Sequence, residues 1–74
     1  MNRHLNIIIE KDTDGYYAYV PELKGCQSQG DTLDEVTYNI NEAIELYLET
    51  MTQEQINDVL NKETIIRTKE LEIA

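Results

Sequence analysis

Residues 15–35 read Gly-Tyr-Tyr-Ala-Tyr-Val-Pro-Glu-Leu-Lys-Gly-Cys-Gln-Ser-Gln-Gly-Asp-Thr-Leu-Asp-Glu, and this run leaves few folds open. Tyr16 to Val20 is rich in residues that favour strands, with Ala18 and Val20 on one face and Tyr17 and Tyr19 on the other. Pro21 has no N–H to give to a ladder and ends the strand. Gly25 to Gln29 allows a short restart, and Gly30-Asp31 makes a turn. Thr32-Leu33-Asp34-Glu35 is a capping box. Its Thr32 hydroxyl is placed to accept from the Glu35 N–H, and the Glu35 carboxylate to reach back to the Thr32 N–H. Asp34 and Glu35 also favour the positive end of a helix dipole.

The flanking sequence completes the pattern. Leu5, Ile7 and Ile9 alternate with Asn6, Ile8 and Glu10, which predicts a first strand. The turn formers of Lys11 to Gly15 join it to the second strand in a hairpin. After the cap, Leu33, Val36, Ile40, Ala43, Ile44, Tyr47 and Met51 recur at three- and four-residue spacing. They predict a helix to about Thr50 with one apolar stripe against the sheet. Thr52-Gln53-Glu54-Gln55 is a second capping box, followed by Ile56, Val59 and Leu60 in a short second helix. Ile65 to Ile73 alternates again, with Ile65, Leu71 and Ile73 on one side, and predicts a fourth strand. Arg67, Lys69, Glu70 and Glu72 mark it as an edge. The expected order is β-β-β-α-α-β. That is an α+β fold, a three-stranded antiparallel sheet followed by helix, second helix and edge strand, in a single domain over residues 1–74.

A 74-residue chain buries only about 60% of the surface it exposes when unfolded. With one cysteine, Cys26, it has no internal disulfide. Self-association is the usual remaining source of stability at this size, so a dimer or higher oligomer is expected. The lone thiol and the lack of a visible signal peptide fit a cytoplasmic protein, and no apolar run approaches the roughly 20 residues that span a bilayer. The formal net charge is −9. Phosphate binding needs clustered Lys and Arg, so direct contact with nucleic acid is not expected. The same charge serves either solubility or the steering of a basic partner.

Little here supports catalysis. Cys26 and His4 are the only cysteine and the only histidine, and they fall at opposite ends of different strands. A nucleophile needs an adjacent base, and zinc needs several Cys or His ligands. Glu10 to Gly15 begins like a calcium loop, but Pro21 stands where the bidentate glutamate belongs. Asp12 and Asp14 therefore read as turn residues. Glu10 and Asp12 are too few for a two-metal nuclease centre. The expectation is a protein with no catalytic residue, no metal and no cofactor.

Surface features are more informative. Opposite the apolar stripe of the helix lie Glu35, Glu42, Glu45 and Glu49, with Tyr38 and Leu46 among them. This face is either simply solvated or a partner surface. Exposed Tyr and Leu among charges fit the second reading. Of Tyr16, Tyr17 and Tyr19, at least one pair must point away from the helix, and a sheet face carrying Tyr17 and Tyr19 is either ordinary packing over the open sheet or a dimer or partner surface.

The run Ala18-x-Val20-Pro21-Glu22-Leu23-x-Gly25-Cys26-x-Ser28-Gln29-Gly30-Asp31-Thr32-Leu33-x-Glu35, with Asn39 and then Glu42-Ala43-Ile44, resembles the HicB-type antitoxin family. The resemblance covers roughly residues 5 to 50. It implies a partly RNase H-like antitoxin fold. It also implies a partner: a small basic toxin of double-stranded-RNA-binding type that cleaves mRNA with a histidine, and whose active site the antitoxin covers. An acidic protein opposing an RNA-binding surface makes electrostatic sense. Many members continue into a DNA-binding domain, which is not expected within these residues. The expected partner surface is Glu35, Tyr38, Glu42, Glu45 and Glu49, with Tyr17 and Tyr19 as a second surface. The other reading is an orphan homo-oligomeric module, structural or regulatory, with no toxin.

Overall fold

The structure is a computed structural model that describes residues 4–73. Its elements are β1 (Ile8–Asp12), β2 (Gly15–Tyr19), β3 (Gln27–Gly30), α1 (Leu33–Glu49) and α2 (Gln53–Leu60). The three strands form one antiparallel sheet in the order β1-β2-β3.

The hairpin turn is tighter than the sequence predicts. Strand pairing continues to Asp12 opposite Gly15, which leaves Thr13 and Asp14 as the turn. The Asp14 N–H donates to Asp12 Oδ1 at 2.8 Å, the local side-chain bond expected of turn aspartates. Beyond β2, the Val20 N–H donates to the Cys26 carbonyl at 3.1 Å, and Leu23 and Cys26 bond back inside the loop. Gly25 closes that loop at φ +82°, a conformation that favours glycine.

Register assigns the faces. Ile9 lies opposite Ala18, and Ala18 opposite Ser28. These residues are on the side covered by α1, together with buried Val20. Ile8, Tyr19 and Gln27, and Glu10, Tyr17 and Gln29, form rows on the other side. α1 packs on β3 and β2. The core is Ala18, Val20, Leu23, Cys26, Val36 and Ile40, ringed by half-buried Leu5, Tyr16, Ala43, Ile44, Tyr47, Leu48, Met51 and Val59. Burying each large aliphatic side chain contributes about 1.5–3 kcal/mol, so Leu23, Val36 and Ile40 dominate the stability of the domain.

Two details of the helices differ from the sequence reading. Thr32 caps α1 as expected, accepting from the Glu35 N–H at 3.0 Å, but the return bond runs from the Asp31 N–H to Glu35 Oε1 at 3.4 Å. Leu33, assigned to the apolar stripe, is 51% exposed. Val36 is the first residue over the sheet: a Cβ built on Gly30 would sit 2.7 Å from its nitrogen. Leu33 lies most of a turn short of that contact and overhangs. The second capping box is complete, with Gln55 N–H to Thr52 Oγ1 at 3.1 Å and Thr52 N–H to Gln55 Oε1 at 2.9 Å.

The largest departure is the fourth strand. Residues 63–73 carry no strand, and Ile65, Ile66, Leu71 and Ile73 are 57–87% exposed. Alternation of apolar and polar residues gives a segment the means to pair, but a strand exists only where an edge is aligned beside it. Within one chain this segment has no such alignment.

Candidate partner surfaces

α1 carries the acidic face at full exposure. Glu35, Glu42, Glu45 and Glu49 are all exposed, with Tyr38 at 69% and Leu46 at 56%. The helical repeat puts these six residues on one side, because their spacings of three, four and seven keep returning to the same face. The opposite side of the helix is the one pinned to the sheet by Val36 and Ile40. Two hydrogen bonds fix the helix rotation. Asn39 Nδ2 donates to the Gln29 carbonyl on β3 at 2.9 Å, and the Tyr47 hydroxyl donates to the Lys24 carbonyl at 2.8 Å. The result is two apolar side chains set among four carboxylates, on a rigid 17-residue helix.

Tyr17 and Tyr19 occupy the far side of the sheet. Their ring centroids are 5.8 Å apart and tilted by 32°, within the range of favourable aromatic pairs. The Tyr17 hydroxyl donates to Gln27 Oε1 at 2.6 Å. Both rings are half-buried. The expected acidic and tyrosine surfaces therefore lie on opposite sides of a two-layer molecule. One flat partner cannot touch both.

The structure does join Glu35 to residues that the sequence reading assigned to turns alone. A cleft of about 520 Å³ opens at the end of the sheet, lined by Asp12, Asp14, Tyr16, Tyr17, Asp31 and Glu35 among others. Gly30 and Gly15 bring its walls together. A Cβ on Gly15 would meet the Gly30 carbonyl oxygen at 2.9 Å. The acidic surface thus continues from α1 around its N-terminal end to the β1–β2 turn. The adjacency of the Asp12-Thr13-Asp14 turn and Asp31 depends on register, so composition alone did not reveal it. Among the described residues no group of carboxylates, Cys or His is arranged to hold a metal ion.

The other reactive groups are quiet. Cys26 is 4% exposed, and burial pushes its thiol up, so the thiolate that would act as a nucleophile is disfavoured. His4 is exposed. Glu22 has a structural task. Its carboxylate accepts from the Asn6 N–H at 3.0 Å and from Asn6 Nδ2. Burial raises its pKa, but the bonds from Asn6 and the Thr64 side chain outweigh that and hold it below the ordinary carboxylate value. No described helix is long and apolar enough to cross a membrane.

Fold and surface together define a small two-layer α+β domain whose prominent feature is an acidic, partly apolar helix face. The chain belongs to the HicB_like antitoxin family of bacterial toxin–antitoxin systems, whose model matches residues 5–72. It is similar to a UPF0150 protein of Helicobacter pylori, with 44% identity over 95% of this chain and 97% of that protein. A UPF0150 protein of Synechocystis is 55% identical over 65% of this chain and 62% of its own length. One of Archaeoglobus fulgidus is 59% identical over 58% and 64%. No solved structure matches the chain.

Proposed function

We propose that this chain neutralises a small basic ribonuclease toxin by laying the outer face of α1 over its RNA-binding surface, and that it does so as a cytoplasmic homo-oligomer without catalysis of its own. Family membership supplies the toxin in general terms. The observation that carries the finer reading is the makeup of the helix face: exposed Tyr38 and Leu46 ringed by Glu35, Glu42, Glu45 and Glu49. Apolar anchors inside a charged rim are the anatomy of a protein interface. The carboxylates match a partner whose own surface is built for phosphate. The acidic cleft at the helix N-terminus extends the same field toward the β1–β2 turn.

The test separates charge from anchor. Glu42→Lys, Glu45→Lys and Glu49→Lys together are expected to weaken toxin binding by at least about tenfold at low salt, through slower association. Tyr38→Ala is expected to act through faster dissociation, at about 1 kcal/mol or more. Binding that is unchanged by both at low salt would remove α1 from the interface and leave the tyrosine face of the sheet as the alternative.

A further inference from the structure

We infer that the groove between the end of α1 and α2 seats an arginine side chain of the toxin. This rests on the antitoxin reading above and deepens it, adding a pocket for one side chain to the charged helix face.

The groove is built by two helix faces. α1 ends at Glu49 and α2 starts at Gln53. Between them lies a groove of about 470 Å³ lined by Tyr47, Thr50, Met51, Gln55, Asp58 and Val59. Tyr47, Thr50 and Met51 share one side at the end of α1, and Gln55, Asp58 and Val59 share one side of α2, because residues three and four apart are neighbours on a helix. The Thr52 capping box holds the start of α2. The Tyr47 hydroxyl donates to the Lys24 carbonyl at 2.8 Å, which fixes that wall. Tyr47, Met51 and Val59 are half-buried against the core, while Thr50, Gln55 and Asp58 are exposed. The floor is therefore apolar and the rim polar. No residue of α2 is buried, and a helix of eight residues is marginal without packing. A side chain in the groove supplies that packing.

Charge selects the occupant. Residues 25–61 contain eight carboxylates and no Lys, Arg or His, whereas the rest of the chain, with seven carboxylates and six cations, is close to neutral. Around the groove this works against the helices. Glu45 with Glu49, and Glu54 with Asp58, are like charges four residues apart, which destabilise a helix. Neither helix has a basic residue in its last turn, where the dipole favours a cation. Glu49 and Asp58 stand there instead. The nearest cations in sequence, Lys24 and Lys62, lie outside both helices. A helix pair that omits its cation complements a partner that brings one.

Shape narrows the cation to arginine. Its occupant must lay an apolar stem along Met51 and Val59 and carry a positive head to Asp58, as long cationic side chains do. A planar guanidinium also stacks on an aromatic ring such as Tyr47 and donates in several directions at once, whereas an ammonium is a compact point charge. The groove is continuous with the proposed toxin surface. Thr50 lies four residues beyond exposed Leu46, so the groove begins where the outer face of α1 ends. A toxin resting on Tyr38 and Leu46 reaches it with one side chain around the helix end.

The test uses the full chain and the protein that co-purifies with it from the native host. Asp58→Lys is expected to weaken binding about tenfold or more. Glu63→Lys makes the same change of charge outside the groove and is expected to weaken it less than about threefold. Thr50→Arg fills the groove from within the chain. It is expected to hold or raise Tm, as a cation at a helix C-terminus does, and still to weaken binding about tenfold. Met51 and Met1 are the only methionines, so 13C-methyl labelling places a resonance in the groove. The Met51 methyl signal is expected to shift when the toxin saturates the chain. One Arg→Lys substitution in the toxin is expected to reproduce the loss, and to add little to Asp58→Lys in a double-mutant cycle. An unmoved Met51 signal in the saturated complex, or wild-type binding by both Asp58→Lys and Thr50→Arg, would overturn the groove and leave the antitoxin reading standing. Coupling of Asp58 to no arginine of the toxin would overturn the arginine. A co-purified protein that cleaves no RNA would overturn the antitoxin reading, and this inference with it.

Discussion

Gly30 sits where β3 comes within contact of the first turn of α1. A methyl group there would lie 2.7 Å from the Val36 nitrogen and 3.1 Å from the Glu35 carbonyl carbon. Both are backbone atoms and cannot turn aside. Gly30→Ala is expected to cost about 1–3 kcal/mol, read as a fall in Tm of roughly 4–8 °C per kcal/mol for a domain of this size. Ile40 is fully buried, and Ile40→Ala is expected to cost about 2–5 kcal/mol, enough to unfold a marginal domain. Glu22 ties pH to stability. Its folded pKa is lowered, so its contribution is present above the ordinary carboxylate pKa of about 4.3 and is lost as the pH falls through the lower folded value. Urea midpoints measured on both sides of that range should drop toward acid, and Glu22→Gln should flatten the drop. An unchanged slope would mean that the Asn6 bonds carry no charge-dependent stability.

Among the elements, both helices were legible because their starts are written in side-chain chemistry. Thr32 and Thr52 accept the bonds their hydroxyls were expected to accept. Thr52→Ala is expected to cost about 1 kcal/mol and to release α2 first, visible as lost helical signal before global unfolding. The strands were legible in kind but shifted in extent. Asp12 and Gly15 look like turn residues, yet a two-residue turn lets them pair. The fourth strand was misread for a physical reason. Alternation in Ile65 to Ile73 reports which side chains would share a face, but not whether a backbone edge is available to receive them. The acidic helix face was legible in full, because helical spacing alone fixes it. The cleft was not. Asp12, Asp14 and Asp31 come together with Glu35 only through strand register and the close approach at Gly30, which depend on the fold and not on local sequence.

Taken as a whole, the molecule is a thin two-layer domain with distinct sides. Carboxylates, with Tyr38 and Leu46, cover the helix side. Tyr17 and Tyr19 cover the sheet side. Among the described residues the outer edge of β1 pairs with no strand. If the helix side is the toxin surface proposed above, rising salt is expected to weaken toxin binding, since its glutamates are exposed and therefore screened. The most direct test of the central claim is to purify the tagged chain from its native host at low salt, identify the protein bound in stoichiometric amount, and assay that protein for RNA cleavage alone and with this chain restored. The prediction is a small basic protein that cleaves RNA when free and stops when this chain is added back. A bound protein that cleaves no RNA, or one whose cleavage continues undiminished in the complex, would contradict it.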